Sequence, residues 1–195
     1  MSLIKTIDYD QLNEYAKIPI SFTVNSEYEV KPPGKYSSEY RLKEKPVSNS
    51  YFKNYDDYES PLDWISKWDL KWNSDNWGFF LAINDSCELI GGAAVAVNIP
   101  GMQMCEGKED LAILWDIRVH PDHRGKGAGK LMFNAAIIFA LSKNCTSLKI
   151  ETQNTNVAAC KFYKSMGCAL KKVTRHAYSE YPDEIQFFWY KNLGS

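Results

Sequence analysis

The densest chemical signal in the chain is Arg124-Gly125-Lys126-Gly127-Ala128-Gly129-Lys130. Glycines let a backbone turn sharply and come close to a ligand. Successive N–H groups at a helix N-terminus, aided by the helix dipole, make a site for phosphate or pyrophosphate. Arg124, Lys126 and Lys130 supply compensating positive charge. A Walker loop is excluded, because no glycine stands at its required spacing and Leu131 replaces the hydroxyl residue. The dinucleotide fingerprint is excluded too, since the run reads GxGxG and no acidic strand end follows at the right distance. The pattern Arg/Gln-x-x-Gly-x-Gly/Ala is met by Arg124, Gly127 and Gly129. By itself, the segment reads equally well as a solvated loop.

A second constellation lies downstream. Asn156, Cys160 and Tyr163 stand at i, i+4 and i+7, on one face of a helix. Asn156 also suits an N-cap, and Tyr163 a packed aromatic. Two carboxylates are candidates for a general base. Asp116 sits in an otherwise apolar strand, where an unpaired charge is costly unless used or paired. Glu151 belongs to the next strand. Each reads either as a base or as a structural ion-pair partner, Arg118 being the obvious one for Asp116. The run Tyr55-Asp56-Asp57-Tyr58-Glu59 is either solvated surface or a surface for a cationic ligand. His120 and His123 read as surface residues of a turn, and no metal site is expected.

These groups need elements to hold them. Asp8 to Ile18 suggests a short helix ended by Pro19, Ile20 to Val30 an extended stretch, and Lys31-Pro32-Pro33-Gly34 a turn. From Gly34 to Tyr58 the polar, Tyr-rich pattern supports no assignment. Ser60, Pro61 and Asp63 mark a helix start, and Trp64, Trp68 and Trp72 form one core-facing stripe. Strands are expected over Trp77 to Ile83, Leu89 to Val97, Ala112 to Val119, Ser147 to Thr152, Ala169 to Tyr178 and Ile185 to Tyr190. Asn98 to Asp110 is a loop. Lys130 to Ser142 is a helix apolar nearly all round, hence expected to be buried. Asn156 to Met166 is a helix stopped by Gly167. The order predicts an α/β (α+β) fold with a mixed sheet flanked by helices.

The chain has 195 residues, read as a single domain over 1–195. Its 23 Lys+Arg against 24 Asp+Glu argue against a dedicated nucleic-acid binder, and 45% hydrophobic residues against disorder. The longest apolar run, Ala135 to Leu141, is too short for a membrane span. No secretory signal is visible, and five cysteines without a CxxC pair read as reduced thiols of a cytoplasmic protein.

Asn156-Val157-Ala158-Ala159-Cys160-Lys161-Phe162-Tyr163 with Gly167 resembles the N-x-x-A-x-x-F-Y-x-x-x-G helix of the GNAT superfamily of N-acetyltransferases. Arg124-x-x-Gly127-x-Gly129 resembles that superfamily's CoA pyrophosphate loop, and Ile117-Arg118-Val119-His120-Pro121 the strand before it. More narrowly, Glu151 to Tyr163, Tyr178-Ser179-Glu180-Tyr181-Pro182, Glu184-Ile185 and Tyr51 to Glu59 resemble blocks of the streptothricin acetyltransferases. The resemblance implies a mostly antiparallel sheet with splayed central parallel strands, and acetyl-CoA as co-substrate. It implies cofactor contacts at Ile117, Arg118 and Val119, from Arg124 through Gly125, Lys126, Gly127, Ala128 and Gly129 to Lys130, and at Asn156 and Tyr163. Tyr163 would protonate the leaving thiolate, with Asp116 or Glu151 as base. Tyr55, Asp56, Asp57 and Glu59 would receive a small cationic amine such as streptothricin. Protein or peptide acetylation and a non-catalytic CoA-binding module are the alternatives, and a homodimer is left open.

Overall fold

The computed structural model describes residues 3–35, 39–58 and 76–194. The expected helix from Ser60, with its Trp64, Trp68 and Trp72 stripe, lies outside the described residues, as does Glu59. In chain order the first half carries β1 (Leu3–Ile7), α1 (Leu12–Ala16), β2 (Phe22–Lys31), β3 (Arg41–Lys53), β4 (Trp77–Ile83) and β5 (Leu89–Val97). The second half carries β6 (Leu111–Val119), α2 (Ala128–Ser142), β7 (Ser147–Gln153), α3 (Val157–Ser165), β8 (Ala169–Thr174) and β9 (Gln186–Asn192). The fold is mixed α/β, with mostly antiparallel pairing and flanking helices, as expected. The chain divides into two compact units, Met1–Phe22, Asn54–Leu148 and Leu193–Ser195 in one, Thr23–Lys53 and Lys149–Asn192 in the other.

In the first unit β1, β4, β5 and β6 lie side by side, all antiparallel. Small residues on β5 let helices close on both faces. A Cβ on Gly91 would crowd Arg118 O at 2.9 Å and face Met132 of α2 at 3.7 Å, whereas one on Gly92 would meet Tyr15 and Ile18 from the α1 side. Successive strand residues point to opposite faces, so α2 covers one face and the α1 segment the other. Phe80 and Phe139 pack edge-on across the α2 face at 6.0 Å. The β5–β6 register slips between Ala94 and Val95, leaving Trp115 as the extra residue of a bulge. Beyond it Asp116 pairs with Ala94 and Arg118 with Gly92, which turns both charged side chains toward Tyr15.

Within the second unit, β7 and β9 are tied by Asn154 N–H to Ile185 O, 3.0 Å, and by Trp189 Nε1 to Thr152 Oγ1, 2.9 Å. β8 pairs antiparallel with β9. α3 packs on β7 through Cys160, whose sulfur lies 3.5 Å from Thr152 Oγ1. The helix ends in a Schellman turn: Cys168 N–H reaches Tyr163 O, Gly167 N–H reaches Lys164 O, and Gly167 has φ of 78°. The β2–β3 ribbon is tied to α3 by the Lys161–Glu44 pair at 2.7 Å.

Two strands escape the sequence pattern. β1 is largely exposed, and β3 alternates little because most of its residues face solvent. The expectation of a fully buried Lys130–Ser142 helix is corrected. α2 leaves Leu131, Ile138 and Leu141 exposed, Ile138 by 69%, because a helix laid on a sheet buries only one side. All five cysteines are free thiols. Among the described residues no helix is long and apolar enough to cross a membrane.

The space at Gly92 gives a direct test. An added Cβ would stand 2.7 Å from Tyr15 Cε2 and 3.1 Å from Ile18 Cδ1. Gly92→Ala should therefore cost about 1–3 kcal/mol of unfolding free energy in urea. An unchanged midpoint would contradict this packing.

Candidate functional site

Arg118 is the centre of the first unit's polar core. Its guanidinium donates from Nε to Asp116 Oδ2 at 2.6 Å, from one Nη to Asp56 Oδ1 at 3.0 Å, and to Ile18 O at 3.1 Å. The Tyr15 ring lies 5.5 Å from its Cζ. Arg118 is 1% exposed and Asp116 6%. Burial works against the guanidinium's charge, but Asp116, Tyr15 and Asp56 outweigh it, and the pKa rises further above its ordinary value. Burial, then the Asp116 charge, pushes the Tyr15 phenol well above its usual range, so it stays neutral. The side chains of Asp116 and Asp56, named above as a base and a substrate contact, are thus both spent on Arg118.

The same strand offers its backbone. His120 N–H donates to Ile90 O of β5 at 2.9 Å. N–H directions alternate along an antiparallel ladder, so those of Ile117 and Val119 point away from β5.

After β6 a tight turn leads into α2. Gly125 and Gly127 have φ of 74° and 93°, the left-handed region that side chains disfavour. The first bond of α2 runs from Leu131 N–H to Gly127 O. The N–H groups of Ala128, Gly129 and Lys130 are therefore left without an intrahelical acceptor. Arg124 acts as a brace, donating from Nε to Val119 O at 3.1 Å and from an Nη to Ser21 O at 2.7 Å. Lys126 Nζ bonds Asp122 O at 2.8 Å, and Lys130 is exposed. Three N–H donors at a fifteen-residue helix, flanked by cations and open space at both glycines, fit a pyrophosphate.

In the second unit Asn156 caps α3, its Oδ1 accepting from Ala159 N–H at 3.1 Å. Cys160 is buried below it, and desolvation pushes its thiol up to about 12. Tyr163, one turn on, is also buried. The chemistry of β7 alternates along the strand. Ile150 and Thr152 point into the core, whereas Glu151 and Gln153 are part-exposed. Glu151 Oε1 accepts from the Tyr178 hydroxyl at 2.6 Å, and that hydroxyl accepts from Gln153 Nε2 at 2.9 Å. Nearby, Lys53 and Glu184 form a buried ion pair, with the Lys53 ammonium 5.2 Å from the Tyr181 ring centroid.

Tyr55 stacks at a tilt on Phe22, ring centroids 5.8 Å apart. The side chain of Asp57, like all of Glu59, lies outside the described residues. Tyr178 and Gln153 carry no role in the sequence reading. Their only signal is that both fall inside blocks resembling the streptothricin acetyltransferases. Among the described residues no group of three or more His, Cys, Asp or Glu could hold a metal ion.

Residues 43–168 match the acetyltransferase (GNAT) family, and the chain belongs to that family. It is an acetyltransferase with acetyl-CoA as its co-substrate. Streptothricin acetyltransferase A of Bacillus subtilis strain 168 is 29% identical over 149 residues, 75% of this chain and 76% of its own. A Bacillus anthracis protein assigned as a streptothricin acetyltransferase, solved in complex with acetyl coenzyme A, matches with a TM-score of 0.79. That match has 25% identity over 98% of this chain and 99% of the other. A nourseothricin acetyltransferase shares the fold at TM-score 0.74 and 21% identity, over 99% of both chains.

Removing one partner of a buried ion pair leaves an uncompensated charge, and here it would leave two. Arg118→Leu should lower the unfolding free energy by roughly 3–5 kcal/mol. A loss under about 1 kcal/mol in urea titration would mean that the two aspartates do not depend on it.

Proposed function

We propose that the chain transfers the acetyl group of acetyl-CoA directly to a primary amine of a small polycationic acceptor, with streptothricin the favoured one. The observation that carries the acceptor class is the 29% identity, over three quarters of both chains, with a protein named streptothricin acetyltransferase A.

In this reading the α2 N-terminus and its two left-handed glycines hold the pyrophosphate, with Lys126 and Lys130 adding charge. The outward N–H groups of Ile117 and Val119 serve the pantetheine arm and the thioester oxygen. The amide of Asn156 contacts that arm. An amine near pKa 10.4 is protonated at neutral pH and must lose a proton before it can attack. Glu151 takes that proton, directly or through a water. The support for Glu151 over Asp116 is environment: Glu151 is part-exposed on β7, while Asp116 is buried against Arg118. The amine nitrogen then attacks the thioester carbon, and the negative oxygen that forms is met by backbone donors. As the carbon–sulfur bond breaks, the Tyr163 hydroxyl donates its proton to the thiolate. Acetamide and free CoA thiol result, and one proton goes to solvent.

Asp56 supports acceptor binding indirectly, by fixing the Tyr55–Tyr58 turn to Arg118. Tyr55, Asp57 and Glu59 are the residues that receive the acceptor's cationic groups. The chain acts in the cytoplasm, where it would protect against such an antibiotic.

Release of CoA thiol should accelerate with streptothricin well above the rate with basic peptides at equal acetyl-CoA. Preference for peptides would move the chain to protein acetylation, and binding of acetyl-CoA with no acceptor-dependent release would leave a CoA-binding module. Tyr163→Phe should lower kcat roughly 10²-fold with acetyl-CoA affinity unchanged. Wild-type turnover in that variant would remove Tyr163 from the mechanism.

A further inference from the structure

Tyr178 lies in the connection between β8 and β9, outside every motif to which a chemical role has been given. Its hydroxyl makes two hydrogen bonds in opposite senses. Gln153 Nε2 donates to it at 2.9 Å, and it lies 2.6 Å from Glu151 Oε1. A phenol has one hydrogen and acceptor lone pairs. With the Gln153 amide occupying a lone pair, the hydrogen is directed to Glu151. The carboxylate then has one oxygen held and the other left to receive a proton.

We infer that Tyr178 is a positioning residue for Glu151, with Gln153 fixing its direction of donation. The assignment rests on Glu151 being the base. A hydrogen bond donated to a carboxylate stabilises its charged form. Tyr178 therefore fixes the rotation of the Glu151 carboxylate and orients its second oxygen as the accepting one. A short donor-to-carboxylate contact of this kind is stronger than a neutral pair.

The test compares steady-state kinetics of full-length wild type, Tyr178→Phe and Gln153→Leu. Removing the donor should lower kcat roughly tenfold, with the KM for acetyl-CoA unchanged, and should lower it no further in a Glu151→Gln background. Gln153→Leu keeps the phenol but frees its rotation, and should lower kcat by less. A wild-type kcat in Tyr178→Phe overturns the inference. The base reading fails separately if Glu151→Gln turns over like wild type, and the positioning role falls with it. If Glu151→Gln is inactive but Tyr178→Phe turns over like wild type, Glu151 stays the base and only the role of Tyr178 is lost.

Discussion

A buried guanidinium can exist only where anions and acceptors surround it, and Arg118 imposes that requirement on its whole unit. Asp116 answers it from the same strand, Asp56 from the turn after β3, and the Ile18 carbonyl from the end of the α1 segment. Gly92 on β5 answers it by omission, leaving space for Tyr15 beneath the cation. Buried ion pairs contribute little net stability once desolvation is counted. What this cluster supplies is position. It fixes two other chain segments, the end of the α1 segment and the turn after β3, to the end of β6, immediately before the turn that leads to the α2 N-terminus.

That constraint also separates two carboxylates that look alike on paper. Asp116 and Glu151 are both strand carboxylates, and residue type alone offers both as candidate bases. Their surroundings differ. Asp116 is buried against a cation in the core, so its charge is already matched. Glu151 lies on the part-exposed side of β7, held through one oxygen by a phenol. Proton transfer needs a group that can be reached and whose charge can change. The geometry of the hydrogen bonds, rather than residue type, distinguishes the two.

Legibility in the sequence followed burial. β4 and β5 fall on their expected bounds, because continuous apolar runs between turn residues leave little choice of register. α3 is equally plain, since Asn156 and Gly167 mark its two ends and both make the expected cap bonds. β3 gave no sign, because a thirteen-residue strand exposed for most of its length has no apolar face to repeat. The exposed edge of α2 was hidden for the opposite reason, as its sequence is apolar on more sides than one sheet face can cover. The turn into α2 could be read from glycine spacing, and Gly125 and Gly127 take the left-handed φ that such a turn requires. The Arg118 cluster could be read only as far as Asp116, because Asp56 lies 62 positions away and nothing local announces the pairing. The Tyr178 bond to Glu151 spans 27 positions and was invisible for the same reason.

In the proposed reaction, acetyl-CoA and a small polycationic amine are joined into an amide and free CoA. Mass spectrometry of streptothricin after incubation with the protein and acetyl-CoA tests it most directly. A single acetyl group is expected on an amino group of the antibiotic, formed in equal amount to the CoA released. Streptothricin recovered unmodified while CoA is released, or acetyl found only on peptide amines in a mixed incubation, would contradict it.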